Sequence, residues 1–403
     1  MLLSFILTGC GENVPSATSP VLEGDWRFAM TLGQDVLPFT GKVQADDEDG
    51  LLTITIHNAE ERITLKQLVH PGDSLIFDFP IYPSKLTLFI ESKDLMTGFW
   101  YDLDRENYRI PVVAEYGQSF RFTPSKSSTK IARKYKVDFG NKENKKYPAI
   151  LLIDNQQGSL TGTFLTETGD YRYLAGNIMN GKINLSAFDG SHAWLFEATI
   201  DGDSLKDGRF ISGTHYSNTW VAAADSSFEL KNPRNISKLK QGFTQFEFAL
   251  PNQDGDTLTH NSFIDGRRVV IYDIMGSWCP NCKDGALALR EISEKFDNKV
   301  LIVPITFERS PDLETAHKRV SKMRSDLNLP PDFVFGGIAS SANTQKALPA
   351  LDRLASYPTL IVTNKHGEVV EIYSGFYGPS TAMYYERFMS HTMALVDSLI
   401  QAK

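Results

Sequence analysis

The chain has 403 residues, too many for one ordinary hydrophobic core, so two or three domains are expected at roughly 100 to 200 residues each. With 41% hydrophobic and 22% charged residues, the composition excludes a disordered or fibrous chain. A net charge of −8 argues against nucleic acid as a partner, and the densest cationic run, "NKENKKY" at residues 141–147, reads as a solvated loop between strands.

The chain begins "MLLSFILTGCGENVPSATSP", a short apolar run ending at Cys10 and followed by a Ser/Pro-rich tether. This arrangement resembles a bacterial lipoprotein signal, in which the cysteine closing the apolar run is lipidated on its thiol. It departs from that pattern in having no Lys or Arg before the apolar stretch. Residues 1–20 are therefore expected to be signal and tether, with Cys10 as the lipidation site. No other window holds the ~18 consecutive apolar residues that span a bilayer. The rest of the chain is expected to be soluble and held at a membrane by lipid alone.

Residues 21–233 read as almost all strand and turn. Runs such as "LLTITIH" (51–57), "KLTLFIE" (85–91), "GSLTGTFL" (158–165) and "AWLFEATI" (193–200) alternate with period two between Gly, Asp and Asn turns. That pattern predicts antiparallel sheet with one wet face. A weak repeat at an offset of about 110 residues sets Pro38, "LLTITIH", "DSLIFDFP", "LTLFIE" and "LMTGFW" against Pro148, "GSLTGTFL", "GKINLSAF", "WLFEATI" and "LKDGRF". A duplicated barrel or sandwich, with units near 21–125 and 126–233, would explain it.

The pattern changes at "RNISKLKQGF" (234–243). A continuous apolar run, "VVIYDIM", follows and suits a strand buried on both faces. A helix after it places Ala286, Leu289, Ile292 and Phe296 on one face. A strand "KVLIVPITF", a helix over 312–329, a hairpin over 357–375 turning at His366 and Gly367, and a helix over 381–400 complete a predicted order β-α-β-α-β-β-α.

The stretch "MGSWCPNC" carries the chemistry. With three cysteines in the chain and Cys10 assigned to lipid, Cys279 and Cys282 stand alone. A structural zinc site needs four ligands, and His260, His317 and His366 are in no ligating register with them, so no metal and no cofactor are expected. A staple across so short a loop would remove little unfolded-state entropy. Electron transfer remains. A thiol at a helix start meets unpaired N–H groups and the positive end of the dipole, which stabilise thiolate, so Cys279 is the expected nucleophile. Cys282, one turn further in, is the expected resolving thiol. Pro280 fits the first helical turn without losing a hydrogen bond.

A strand running into W-C-x-x-C at a helix start, followed by β-α and a proline opening a hairpin, resembles the thioredoxin fold. Within it, "FIDGRRVVIYDIMGSWCPNC" is similar to the TlpA/ResA-like thiol-disulfide oxidoreductases of bacterial envelopes, over residues 243–402. A β domain ahead of such a module resembles multidomain lipoproteins of Bacteroidetes-type bacteria. The resemblance implies a thioredoxin-like domain over 234–403 and a cis-proline at Pro358 whose preceding backbone, at Tyr357, pairs with substrate. It also implies that Trp278 packs beside the cysteines and that Asp273 is a buried carboxylate beneath them, fit to act as a general base. Two departures stand out. Tyr357 replaces the commoner Thr or Val, and Gly285 stands where many members carry a glutamate, with Asp284 one place earlier.

The expected function is reduction of disulfides in proteins or small thiols at the cell envelope, with a membrane thiol reductant as electron donor. Two rivals are a peroxiredoxin-like peroxidase, for which no Thr lies close before Cys279, and a β-domain binding module. The module could use Trp26, Phe99, Trp100, Tyr101, Trp194 and Trp220 as a ligand surface, although aromatics at alternating strand positions are usually core.

Overall fold

The computed structural model describes residues 19–402 apart from 47, 70–73, 141–144, 298 and 311, so Cys10 and the lipoprotein reading lie outside the described residues. Eight antiparallel strands, from Gly24–Leu32 to Arg109–Tyr116, pair in chain order, and the last pairs with the first to close a barrel. Alternation drives this. In Leu52–Asn58 every second residue is fully buried, and the inward set with Trp26, Phe28, Phe39 and Trp100 fills the barrel. Closure leaves no strand edge unpaired.

A second sheet runs from Lys134–Phe139 to Tyr216–Ala224 and also closes, each strand pairing with the next and the last with the first. The two-residue strand Gly169–Asp170 is appended to Ser159–Thr166. The repeat seen in the sequence falls strand on strand. Leu52–Asn58 and Ser159–Thr166 are third in their rings, and Ser74–Asp78 and Lys182–Phe188 are fifth. Ser84–Ser92 and Ala193–Asp201 are sixth, and Leu95–Asp102 and Ser204–Ser212 are seventh.

The prediction of one wet face fails for Lys182–Phe188 and most of Ala193–Asp201, which are buried on both faces. Trp194 and Phe196 face their own barrel, whereas Phe188, Ala193 and Leu195 pack into the core cluster of the first barrel. Buried Arg121 bridges the contact, donating to the carbonyls of Pro38 and Ser186. The aromatic ligand surface is corrected likewise: Trp26, Trp100, Trp194 and Trp220 are buried, and only Phe99 and Tyr101 are partly exposed.

The remaining chain forms a five-stranded sheet in the order Val334–Ile338, Val300–Glu308, Val269–Met275, Thr359–Thr363, Val369–Ser374. The central strand is buried at every residue, runs parallel to Val300–Glu308 and antiparallel to Thr359–Thr363. Helices α1 (Pro280–Lys295), α2 (Leu313–Asp326), α3 (Ser341–Ala347) and α4 (Met383–Gln401) pack around it. The strand Val334–Ile338 and α3 are absent from the predicted order. "VFGGI" has two adjacent glycines that interrupt its three strand formers, and it holds its place through parallel pairing with Val300–Glu308.

The three units meet at Arg172 of the second barrel. Its guanidinium pairs with Glu61 of the first barrel and Asp284 of α1, and lies 3.9 Å from Asp189. It also donates to the Pro280 carbonyl at 3.2 Å, between the two cysteines. A buried ion stands only when paired, so this cluster ties the barrels to the cysteine loop.

Candidate functional site

The buried strand Val269–Met275 delivers Gly276, Ser277 and Trp278 to the start of α1, where Cys279 is the N-cap residue. Its backbone is extended, and its Sγ accepts a hydrogen bond from the Cys282 amide at 3.2 Å. Pro280 occupies the first turn, where an N–H would lack a partner. Both cysteines are free thiols, with Cys279 6% exposed and Cys282 fully buried. Burial pushes the Cys282 thiol well up, and the Cys279 sulfur and the Asp273 charge push it further.

The Tyr357–Pro358 peptide is cis, and the Cys279 thiol donates to the Tyr357 carbonyl at 3.5 Å. Trp278 donates from Nε1 to the Phe307 carbonyl at 3.0 Å, meets the Tyr357 ring edge-on at 5.4 Å, and carries the Arg309 guanidinium 4.3 Å above its ring. Cys279, Cys282, Trp278, Pro280, Tyr357 and Pro358 thus converge on one face at the ends of the central strands. Gly285 faces Pro358, and Asp284 turns away to pair with Arg172, so the carboxylate nearest the missing glutamate position serves the domain junction.

Asp273 is 1% exposed, and Oδ1 has no hydrogen-bond partner. Burial raises its carboxyl to about 7, against the opposing pull of Arg324. It borders a cleft of about 790 Å³ that Ala286, Arg290, Pro304 and Arg324 also line.

Glu308 was not singled out from sequence. It ends the strand Val300–Glu308, is fully buried, and accepts from the Ser277 amide at 2.8 Å and the Ser277 hydroxyl at 2.6 Å. Burial raises it to about 7. The signal is a carboxylate closing an apolar strand, whereas Asp273 is implied by the resemblance. Ile81 and Tyr82 of the first barrel, which share an apolar cluster with the cysteines, carry no such signal.

Residues 243–372 match the AhpC/TSA family. A curated relative, thioredoxin Y1 of Arabidopsis thaliana, is 30% identical over 86 residues, covering 21% of this chain and 42% of its own length. The chain thus spans less than half of that relative. Among solved structures, a secreted thiol-disulfide isomerase of Corynebacterium glutamicum is 15% identical, covering 42% of this chain and 98% of its own, with a TM-score of 0.30. A thiol-disulfide oxidoreductase of Bacteroides fragilis is 17% identical, covering 36% and 99%, with a TM-score of 0.27. Behind two β-barrels, the chain carries a thioredoxin-fold domain whose residues 243–372 match the AhpC/TSA family.

Proposed function

We propose that this chain is an envelope thiol-disulfide oxidoreductase that reduces disulfides of proteins or small thiols through Cys279 and Cys282. The observation that carries this reading is Cys279 at the N-cap of α1, its sulfur accepting the Cys282 amide while Cys282 lies buried behind it. Cys279 thiolate attacks a substrate sulfur, forming a mixed disulfide and expelling one substrate thiolate. Cys282 then gives its proton to Asp273 and attacks the Cys279 sulfur, expelling the second substrate thiolate. Two electrons pass to the substrate, and a Cys279–Cys282 disulfide remains for a membrane dithiol reductant to reopen. A redox titration of the pair is expected near ~−270 mV, the range of a reductant. A midpoint near ~−120 mV would reverse the direction.

The envelope location rests on the lipoprotein-like "LTGC" ending at Cys10. Cys10→Ala is expected to move the protein from the membrane to the soluble fraction, because lipid on that thiol is the only anchor the reading invokes. An unchanged membrane fraction would remove the lipoprotein assignment and leave the redox chemistry untouched.

A further inference from the structure

A segment of another domain packs into the apolar cluster that holds the dithiol. Residues 79–83 of the first barrel join Ser74–Asp78 to Ser84–Ser92 and reach across to the redox site. Ile81 and Tyr82, each 5% exposed, belong to the apolar cluster that holds Met275, Cys279, Cys282 and Met323, with Trp278 and Tyr357 alongside. Two polar ties hold them there. The Ile81 amide donates to Asp326 Oδ2 at the end of α2 at 2.8 Å, and Asp104, from the loop joining Leu95–Asp102 to Arg109–Tyr116 at the same end of the barrel, pairs with Arg319.

This seat is not a comfortable one. Ile81 has a φ of 71°, a left-handed value rare for a β-branched side chain. The Tyr82 amide closes a three-residue turn on the Pro80 carbonyl at 2.8 Å, a strained form of turn. The Tyr82 hydroxyl is buried without a hydrogen-bond partner. Strain and an unsatisfied hydroxyl both favour release, whereas apolar packing and the Asp326 and Arg319 ties favour docking. A cleft lined by Pro280, Asn281 and Tyr357 on one side and Thr168, Gly169 and Trp194 on the other adjoins the cysteine loop, and no residue of the 79–83 turn lines it.

We propose that the 79–83 turn of the first barrel is a gate over Cys279 that selects substrates by size: small disulfides reach the sulfur with the turn docked, and disulfides on folded proteins react only after it leaves. What passes the gate rests on the oxidoreductase reading; the gate itself is tested without it. The reduced full chain is alkylated with iodoacetamide or with a maleimide bearing a long polyethylene glycol, and the Cys279 peptide is followed by mass spectrometry, each rate being scaled to the unfolded chain. Wild-type Cys279 is expected to be protected at least about tenfold more from the bulky reagent than from the small one. The Ile81→Ala/Tyr82→Ala variant should raise the bulky rate about tenfold and the small rate by less than about threefold, as loss of the buried contacts implies. Asp326→Ala, which leaves the barrel intact, should act in the same direction and covers the case in which the double variant misfolds. Equal protection from both reagents in the wild type, or a folded Asp326→Ala chain with an unchanged bulky rate, would overturn the gate. If the gate behaves as described but no disulfide of any size is reduced, the failure belongs to the proposed activity.

Discussion

Treated with a disulfide-bonded peptide, the Cys282→Ser chain is expected to stop at a stable mixed disulfide on Cys279, while Cys279→Ser forms no adduct and reduces nothing. The asymmetry follows from position. Cys279 caps α1 at the outer end of the helix, with the Cys282 amide donating to its sulfur. Cys282 is fully buried and its thiol is pushed well up by burial, so it is a poor first attacker. It becomes effective only once a disulfide lies on Cys279, one helical turn away, as an intramolecular reaction. Both variants should lose steady-state turnover, and only intact mass separates them. Adducts on Cys282 in the Cys279→Ser chain, or faster alkylation of Cys282 than of Cys279 in the wild type, would reverse the assignment.

Asp273→Asn is expected to leave the first attack nearly unchanged and to slow release of the reduced substrate by about 10²- to 10⁴-fold near neutral pH, the usual contribution of a positioned general base. Cys282 must lose its proton in a dry place, and Asp273, raised to about 7 by burial, is a matched acceptor. Wild-type release should therefore climb through an inflection near pH 7 that the Asn chain lacks. The gap should narrow in alkali, where Cys282 ionises without help. Rapid-quench kinetics on a disulfide peptide separates attack from release. An Asn chain with wild-type release at every pH would show that Asp273 takes no part.

The same carboxyl has an independent signature in stability. Its folded pKa of about 7 lies above the ordinary value of 3.8, so between these limits the folded chain holds a proton that the unfolded chain has lost. Wild-type stability should therefore fall as pH rises through that window, by about 1.4 kcal/mol per unit at most and about 4 kcal/mol in all from this group. The Asn variant should match the wild type near pH 4 and exceed it increasingly up to pH 8 in urea unfolding. Glu308 and Asp170, also raised to about 7 by burial, remain in both chains and cancel in the comparison. Parallel curves for the two chains would mean that Asp273 ionises normally.

The sequence by itself determined what local pattern can encode. Period-two alternation marked the strands of both barrels, and the repeated order of short motifs mapped strand for strand onto two closed rings. A continuous apolar run, a C-x-x-C at a helix start and a proline before a hairpin marked the cysteine end of the C-terminal sheet. Asp273 could be singled out because the resemblance places a buried carboxylate six residues before the first cysteine, inside an apolar run that leaves it poorly solvated. What the tertiary structure alone decided lies where domains meet. Alternation tells which face of a strand is apolar but not that the other face will be covered, so the doubly buried strands of the second barrel were read as half wet. Arg172 has no special neighbours in the chain, and its carboxylate partners, Glu61, Asp189 and Asp284, come from all three units. Ile81 and Tyr82 carry no mark in the sequence and join the apolar cluster of the redox site only because the first barrel docks there. Contacts between distant segments leave no periodic trace in the chain, since packing selects for shape and charge at single positions rather than for a repeat.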